Sequence, residues 1–238
     1  MSTVKAETFS FVSYNIHGCV GTDGKYDPAR IVTVMKELKP DVFALQEVDS
    51  RYHPGDGPTR QLDYLAEATD MVAIPGSTIM HETGDFGNAI LTRLPVTGIR
   101  KSDVNVIGTE LRGVLDVDVD AGGVPLRVIV VHFGLNAAER HYQVKEILEM
   151  IETTLPQPLI ILGDFNEWKS FGLGSTQKIN RVLGRSDAPA TFPSKFPLLS
   201  LDRIWAHPKN ILKEIDVFKS PSSRVASDHL PLRAVIRF

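Results

Sequence analysis

Cysteine and long apolar runs are scarce in this sequence of 238 residues. Because Cys19 is the only cysteine, the chain cannot form an internal disulfide, which is typical of a protein in a reducing compartment. Residues 1–8 contain no apolar stretch that resembles a signal peptide, and no later run approaches the roughly 20 residues of a membrane span. We therefore expect a cytoplasmic protein that does not span a membrane.

A basic excess is also missing. The chain has 26 Lys and Arg residues against 29 Asp and Glu residues, a formal net charge of −3. A protein that holds long nucleic acid through its phosphates needs a clustered cationic face. Arg93, Arg100, Lys101 and Arg112 could gather at one rim, but we favour scattered solvated charges. Nucleic acid is therefore a partner that the sequence allows but does not favour.

The composition that remains is that of a globular catalytic domain. Hydrophobic residues make up 42% of the chain and charged residues 23%, which is ordinary for a soluble protein. The length is sufficient for a large core, and the apolar runs are spread evenly along the chain. We expect a single domain over residues 1–238, present as a monomer.

The hydrophobic pattern predicts alternating strands and helices. The first helix opens at Asp27-Pro28, carries the stripe Ile31, Val34, Met35 and Leu38, and closes at Pro40. Asn136 is the expected N-cap of the helix 137–154, and another helix is predicted around 58–69. The predicted strands cover 9–15, 41–47, 71–75, 87–92, 110–119, 124–133, 158–162, 201–206, 212–218 and 230–237. Early β-α-β units followed by hairpins favour a mixed, layered α/β fold.

Five short polar signatures stand out against this pattern: Tyr-Asn-Ile-His-Gly (14–18), Gln-Glu-Val (46–48), Gly-Asp-Phe-Asn (163–166), Leu-Asp-Arg-Ile-Trp (201–205) and Ser-Asp-His-Leu-Pro (227–231). Four of them follow, or lie at the edge of, an apolar β-type run. Together they offer oxygen ligands and an Asp/His pair. Such a set suits a hard metal ion and in-line attack on a phosphoester.

In order and wording, these signatures resemble the endonuclease/exonuclease/phosphatase superfamily, the DNase I-like hydrolases, from about Phe9 to Phe238. The resemblance implies a four-layer α/β/β/α sandwich of two packed mixed sheets. It also implies a metal-dependent phosphoester hydrolase that uses Mg²⁺ or Mn²⁺. One metal ion or two is equally compatible with the sequence.

The resemblance implies that Glu47 is the principal metal ligand, with help from Asn15 and Asp228. Glu47 ends an apolar run, where a buried carboxylate is costly unless a cation or hydrogen bonds meet it. Taken alone, Glu47 would be interpreted as an exposed residue at a strand end, and Asn15 as a turn residue. The other signatures decide in favour of a metal site.

Asp164 and Asn166 are expected to align the attacking water and a phosphate oxygen. Two residues apart in extended backbone, they project to the same side. An Asx-type turn after the strand is the structural alternative. We favour the catalytic interpretation because the other signatures support it.

Three further residues complete the expected chemistry. The resemblance implies that Asp202 orients His229 through one ring nitrogen and favours its imidazolium form. His132, in Val131-His132-Phe133 where the family often has Thr-His-Leu, is carried over as a general acid toward the leaving oxygen. Either Asp164 or the dyad of Asp202 and His229 could take the proton of the water.

Asn88 and Arg112 match weaker family patterns and are expected to face the substrate phosphate, although structural roles fit them equally. The sequence predicts surface or packing roles for the remaining histidines, with His17 near the rim. They are His17, His53, His81, His141 and His207.

The substrate follows least directly from the sequence, because one fold and one chemistry serve many phosphoesters. The acidic balance and compact length favour a small or lipid-derived phosphoester. A DNA endonuclease or exonuclease of the AP endonuclease or DNase I type is the alternative, and an inactive binding module is a remote one.

Overall fold

Two β-sheets form the centre of the computed structural model, which describes residues 7–51, 60–82, 84–152, 155, 157–168, 174–187 and 189–238. The six-stranded sheet has the strand order β10-β11-β1-β2-β4-β3, and the five-stranded sheet has the order β5-β6-β7-β8-β9. Each contains one parallel pair, β1 with β2 and β7 with β8, among antiparallel neighbours. Both sheets are therefore mixed.

The strands are β1 (Thr8–Asn15), β2 (Val42–Asp49), β3 (Val72–His81), β4 (Gly84–Thr92), β5 (Val96–Asp103), β6 (Gly113–Asp120), β7 (Pro125–His132), β8 (Leu159–Asp164), β9 (Asp202–His207), β10 (Leu212–Val217) and β11 (Leu232–Arg237). The helices are α1 (Pro28–Leu38), α2 (Gln61–Thr69), α3 (Ala137–Glu152), α4 (Gln177–Leu183) and α5 (Ser223–Ala226). Two short 3₁₀ turns lie at His17–Cys19 and Lys209–Ile211.

Alternation along the strands builds four layers. Phe9 and Phe11 of β1 face Val128 and Val130 of β7 in a central core between the sheets. The opposite face of the six-stranded sheet packs against α1 and α2. The outer face of the five-stranded sheet packs against α3 and α4. This α/β/β/α sandwich confirms the predicted fold class.

The helix signals are confirmed where the structure describes them. The side chain of Asp27 accepts a hydrogen bond from the backbone of Ala29 at 3.1 Å and caps α1. The Asn136 side chain does the same for Ala138 at 2.9 Å. The predicted ends 58–59 and 153–154 lie outside the described residues. None of the described helices combines the length and hydropathy needed to cross a bilayer.

Strand boundaries differ from the prediction in β3 and β6. The strand predicted over 110–119 begins at Gly113, and β3 runs on to His81 instead of ending at 75. Strand β5, over 96–103, was not predicted, nor were α4 and α5. As an edge strand, β5 pairs only with β6 and is mostly exposed. It therefore lacks the apolar alternation on which sequence reasoning depends.

Candidate active site

Strand ends bring the polar signatures to one edge of the sandwich. Asn15, His132 and Asp164 are the last residues of β1, β7 and β8. They continue the same face as the apolar residues of the central core, which ends there. Asp202 opens the antiparallel β9 and is the register partner of Asp164. The site is thus the open end of the cleft between the two sheets.

Glu47 reaches this edge through an irregularity in β2. Val42 and Ala44 face the central core, so strict alternation would turn Glu47 to the opposite face. The pairing register with β4 shifts between Leu45 and Val48, and Glu47 has a φ of 56°. A positive φ is unfavourable for a residue with a side chain and is typical of functional sites. The bulge directs the carboxylate toward Asn15.

Asn15 connects two carboxylates. Its Nδ2 donates to Oε1 of Glu47 at 2.8 Å and to Oδ2 of Asp164 at 3.1 Å. Its Oδ1 accepts the backbone N–H of His17 at 3.0 Å, which orients the amide. Burial, opposed by the Asn15 hydrogen bond, raises the pKa of Glu47, and the nearby Asp164 adds to the rise. The three side chains form one connected group.

The surroundings of His229 favour its protonated form. Its Nδ1 lies 2.8 Å from Oδ2 of the buried Asp202, which also accepts the hydroxyl of Thr191. Its Nε2 lies 3.7 Å from Asp164. Burial alone would lower the pKa of His229, but the charges of Asp202 and Asp164 outweigh it and raise the pKa to about 10. The predicted pairing of Asp202 with His229 is present.

The surroundings of His132 favour its neutral form. Burial, reinforced by the positive charge of Arg112 and only partly offset by Asp164, lowers the pKa of His132 to about 3. Its Nε2 lies 3.7 Å from Asp164 and 3.9 Å from Glu47. The general-acid role that the resemblance implies for His132 stays a prediction.

The Gly-Asp-Phe-Asn segment holds Asp164 in place from behind. The backbone N–H of Asn166 donates to Oδ1 of Asp164 at 2.9 Å, the Asx-type contact considered as the alternative. Nδ2 of Asn166 donates to the carbonyl of Phe133 at 2.8 Å, which leaves the amide oxygen for another partner. Gly163 has a φ of 153°, and a Cβ there would lie 2.0 Å from the Val131 carbonyl. The Asx-type turn is therefore present, and the catalytic roles of Asp164 and Asn166 stay predictions.

Ser227 fastens the Asp228-His229 segment to β1. Its hydroxyl donates to the carbonyl of Asn15 at 2.7 Å and accepts the backbone N–H of His229 at 3.2 Å. The carboxylate of Asp228 lies 3.9 Å from Nδ1 of His17. This segment precedes β11, so both Asp228 and His229 can face the site without strand alternation separating them.

Arg112 and Asn88 occupy different places. Arg112 is buried in the site, with Nη1 at 3.5 Å from Nδ1 of His132 and Nη2 donating to Glu110 at 3.0 Å. Asn88 donates to the Gly113 carbonyl at 3.0 Å and lines a separate, smaller cavity beside β3 and α2. The phosphate-facing role expected for Asn88 stays a prediction.

A cleft of about 490 Å³ opens over these groups. The sequence pattern assigned no site role to seven further lining residues: Phe86, Glu110, Leu135, Trp168, Phe192, Leu199 and Leu201. Only Leu201 belongs to one of the five signatures. Two signals were available. Trp168 comes two residues after Asn166, and Glu110 precedes Arg112 at a spacing that places both on one side of an extended chain.

The charges of the cleft fit a divalent cation. In the described part of the chain, the ion-pair partners of Glu47, Asp164 and Asp228 within 4.0 Å are histidines. Carboxylate and amide oxygens are the ligands that Mg²⁺ and Mn²⁺ prefer. Ligand atoms of Asp164, Asp202 and His229 also lie within 4.8 Å of one another. His229 and Thr191 both bond Oδ2 of Asp202, and its buried Oδ1 has no hydrogen-bond partner among the described residues.

Comparison with known proteins gives one consistent family. Residues 12–229 match the model of the endonuclease/exonuclease/phosphatase family. The uncharacterized protein YbhP of Escherichia coli K12 is 31% identical over 249 residues, which cover 96% of each chain.

Solved structures agree in fold. An endonuclease/exonuclease/phosphatase from Beutenbergia cavernae superimposes with a TM-score of 0.79 at 22% identity, over 97% of this chain and 72% of that one. A Bacteroides vulgatus member gives 0.77 at 15% identity, over 97% and 98%. Danio rerio TDP2, solved with a single-strand DNA product, gives 0.69 at 18% identity, over 96% and 98%. At these identities the likeness concerns the fold.

Proposed function

The chain belongs to the endonuclease/exonuclease/phosphatase family, and from that premise we propose that it hydrolyses a small or lipid-derived phosphoester with Mg²⁺ or Mn²⁺. Family members are metal-dependent phosphoester hydrolases. The observation that carries the proposal is the position of Asp164. Its Oδ2 lies 3.1 Å from Nδ2 of Asn15 and 3.7 Å from Nε2 of both His132 and His229.

Glu47, Asn15 and Asp228 are the proposed metal ligands. A bound divalent cation would polarise a phosphoryl oxygen and neutralise charge that develops in the transition state. The raised pKa of Glu47 supports this assignment, since burial beside other carboxylates disfavours its charge until a cation compensates it.

The raised pKa of His229 supports Asp164 as the proposed base. An imidazolium has no free lone pair, so the dyad of Asp202 and His229 cannot accept the proton of the water near neutral pH. We assign that step to Asp164, with Asn166 orienting the water, and we assign to His229 the stabilisation of negative charge on the phosphate. His132, whose Nε2 lies 3.7 Å from the same oxygen of Asp164, stays the candidate that the resemblance implies for protonating the leaving oxygen.

The wall of the cleft supports a substrate other than duplex DNA. Among its described lining residues, Arg112 is the only lysine or arginine, and Glu110 pairs with it. Arg93 donates to backbone carbonyls of residues 69 and 70, and Arg100 pairs with Asp116 and Asp118. No shared cationic rim forms among these arginines. The likeness to TDP2 favours the nuclease alternative, but the charge distribution does not.

Metal binding tests the proposal directly. We expect isothermal titration calorimetry to show Mn²⁺ or Mg²⁺ binding to the wild type and a loss of at least about tenfold in affinity for Glu47→Gln, because a hard cation needs the carboxylate charge. Hydrolysis of bis-p-nitrophenyl phosphate should stop in EDTA and return with excess metal. Glu67→Gln, on the outer face of α2, is the matched control. Equal metal affinity in wild type and Glu47→Gln would contradict the assignment.

A further inference from the structure

Two exposed apolar side chains lie directly beside the catalytic strand ends. Leu135 follows His132 in the loop after β7 and is 66% exposed, and Trp168 follows Asn166 in the loop after β8 and is 50% exposed. Both line the cleft. Large apolar side chains left in water at a site commonly mark a binding surface.

A buried arginine braces both of them from below. Arg140 of α3 is 1% exposed, and its Nη1 donates to the carbonyls of Gly134 and Leu135 at 3.2 and 2.6 Å. Its guanidinium carbon lies 5.0 Å from the centroid of the Trp168 ring. Such a cation-π contact fixes the plane of the indole. One side chain thus orders two loops that meet at the cleft.

Glu167 in turn holds Arg140 in place. The carboxylate of Glu167 lies 3.6 Å from Nε of Arg140 and accepts the backbone N–H and the hydroxyl of Ser175 at 2.8 and 3.1 Å. A buried ion pair adds little net stability in general. Its location beneath Leu135 and Trp168 indicates that it orders this part of the wall before a ligand arrives.

The chemistry of the wall favours an aliphatic ligand group. Leu199 and Leu201 add aliphatic surface to the lining. In the turn that leads to Leu199, Phe196 and Leu198 are 77% and 80% exposed. Binding of a nucleic acid strand would need cationic side chains along its phosphates as well as an aromatic residue such as Trp168 for base stacking. Among the described lining residues, Arg112 is the only such cation.

We propose that Leu135 and Trp168 form a subsite for an alkyl chain attached to the scissile phosphoester, held in shape by Arg140 and Glu167. The proposal rests on the proposed function and narrows it to amphiphilic phosphoesters. Apolar contact beside the reacting phosphate would let the enzyme select such substrates over small polar ones.

Chain-length dependence tests the subsite. With alkyl p-nitrophenyl phosphates kept below micelle formation, we expect kcat/KM of the wild type to rise about tenfold or more from methyl to octyl, since each buried methylene adds favourable transfer free energy. In Trp168→Ala and Leu135→Ala the octyl-to-methyl ratio should fall below about threefold. Tyr64→Ala, which removes a partly exposed aromatic ring from α2, should keep the wild-type ratio. A ratio that is flat in the wild type overturns the proposal.

Fluorescence separates the subsite from catalysis. The chain has two tryptophans, and Trp205 is buried. The non-hydrolysable 8-bromooctylphosphonate should quench the emission of the wild type saturably, and Trp168→Phe should abolish this quenching. Quenching in a protein that hydrolyses no phosphodiester would support the subsite and refute the proposed function. Hydrolysis without quenching would do the reverse. Quenching by a bromouracil oligonucleotide but not by the alkyl ligand would replace the alkyl subsite with a base-stacking one.

Discussion

At the scale of single residues, charge state distinguishes two histidines that look alike in sequence. His229 and His132 both lie 3.7 Å from Asp164, yet their pKa values move to about 10 and about 3. The difference comes from their other neighbours. Asp202 bonds His229, whereas Arg112 stands beside His132. The raised pKa therefore suits His229 to stabilising negative charge near neutral pH, whereas the lowered pKa of His132 does not.

The pH dependence of hydrolysis should follow His229. Because its pKa is raised from 6.5 to about 10, the stability that the imidazolium contributes is fully present below the ordinary value and is lost as pH rises from there toward 10. The ring itself stays protonated until the pH approaches 10. In Asp202→Asn the remaining burial should move the alkaline limb of the kcat/KM profile to lower pH. Thr191→Val, which removes only a hydroxyl from Asp202, should shift the limb less. An unchanged kcat/KM profile in Asp202→Asn would show that the protonation of His229 does not control hydrolysis.

Asp164 should matter for turnover more than for folding. We expect Asp164→Asn and His229→Ala each to lower kcat by roughly 10²-fold or more, the scale of a positioned acid or base. Melting temperatures should stay near that of the wild type. His141→Ala, which changes an exposed histidine on α3, is the control and should keep full activity. A folded Asp164→Asn enzyme with wild-type kcat would contradict the proposed base.

At the scale of elements, an ionic cluster joins β5, β6 and β7. Asp116 of β6 is 1% exposed and receives hydrogen bonds from Arg100 of β5 and Arg127 of β7 at 2.6 to 3.1 Å. Burial would raise the pKa of Asp116, but the two arginines outweigh burial and lower it. This cluster ties the edge strand β5 to the sheet, although β5 has little apolar pattern of its own.

Asp116→Asn should destabilise the fold by about 3–5 kcal/mol at pH 7, because it leaves buried Arg127 without the charge of this partner. A lowered carboxyl pKa contributes stability that is present above about 3.8, the ordinary value, and is lost as pH falls through the folded value. Urea unfolding at pH 7 and at pH 3 should therefore show a smaller difference from wild type in acid. Asp118→Asn, at the more exposed end, should cost about 1 kcal/mol or less. Equal differences at both pH values would contradict this account.

At the scale of the whole molecule, the charge distribution predicts weak dependence on salt. With a net charge of −3 and one arginine among the described lining residues of the cleft, long-range attraction to polyanions should be small. Hydrolysis of a small phosphodiester should change less than about twofold between 50 and 200 mM salt, whereas phosphate-gripping proteins lose about 10³-fold or more in affinity.

Plasmid DNA should be a poor substrate under the same conditions, and abasic-site DNA likewise. Bis-p-nitrophenyl phosphate, measured in parallel with the same enzyme and metal, is the control for activity. Efficient nicking of plasmid, with a steep loss of rate between low and moderate salt, would contradict the proposed substrate class and support the nuclease alternative.

The sequence by itself determined which chemistry is available and how the layers form. Alternation in β1 and β7 and the stripe on α1 are local patterns, so they predicted a mixed, layered α/β fold. The four-layer sandwich that the structure confirms was implied by the family resemblance of the five signatures. The five signatures place oxygen and imidazole groups at strand ends, which meet at one edge in such a fold. The single-domain, monomeric and cytoplasmic expectations stay predictions.

Only the tertiary structure decided how those groups act. Glu47 faces the site because a bulge in the pairing of β2 with β4 reverses its direction, and no local pattern encodes that pairing. The pKa values of His229 and His132 depend on burial and on Asp202 and Arg112, which lie far from them in sequence. Arg140 supports Leu135 and Trp168 only once α3 packs beneath both loops. Electrostatic fields and packing depend on distances in space, and those distances are set only when the sheets meet.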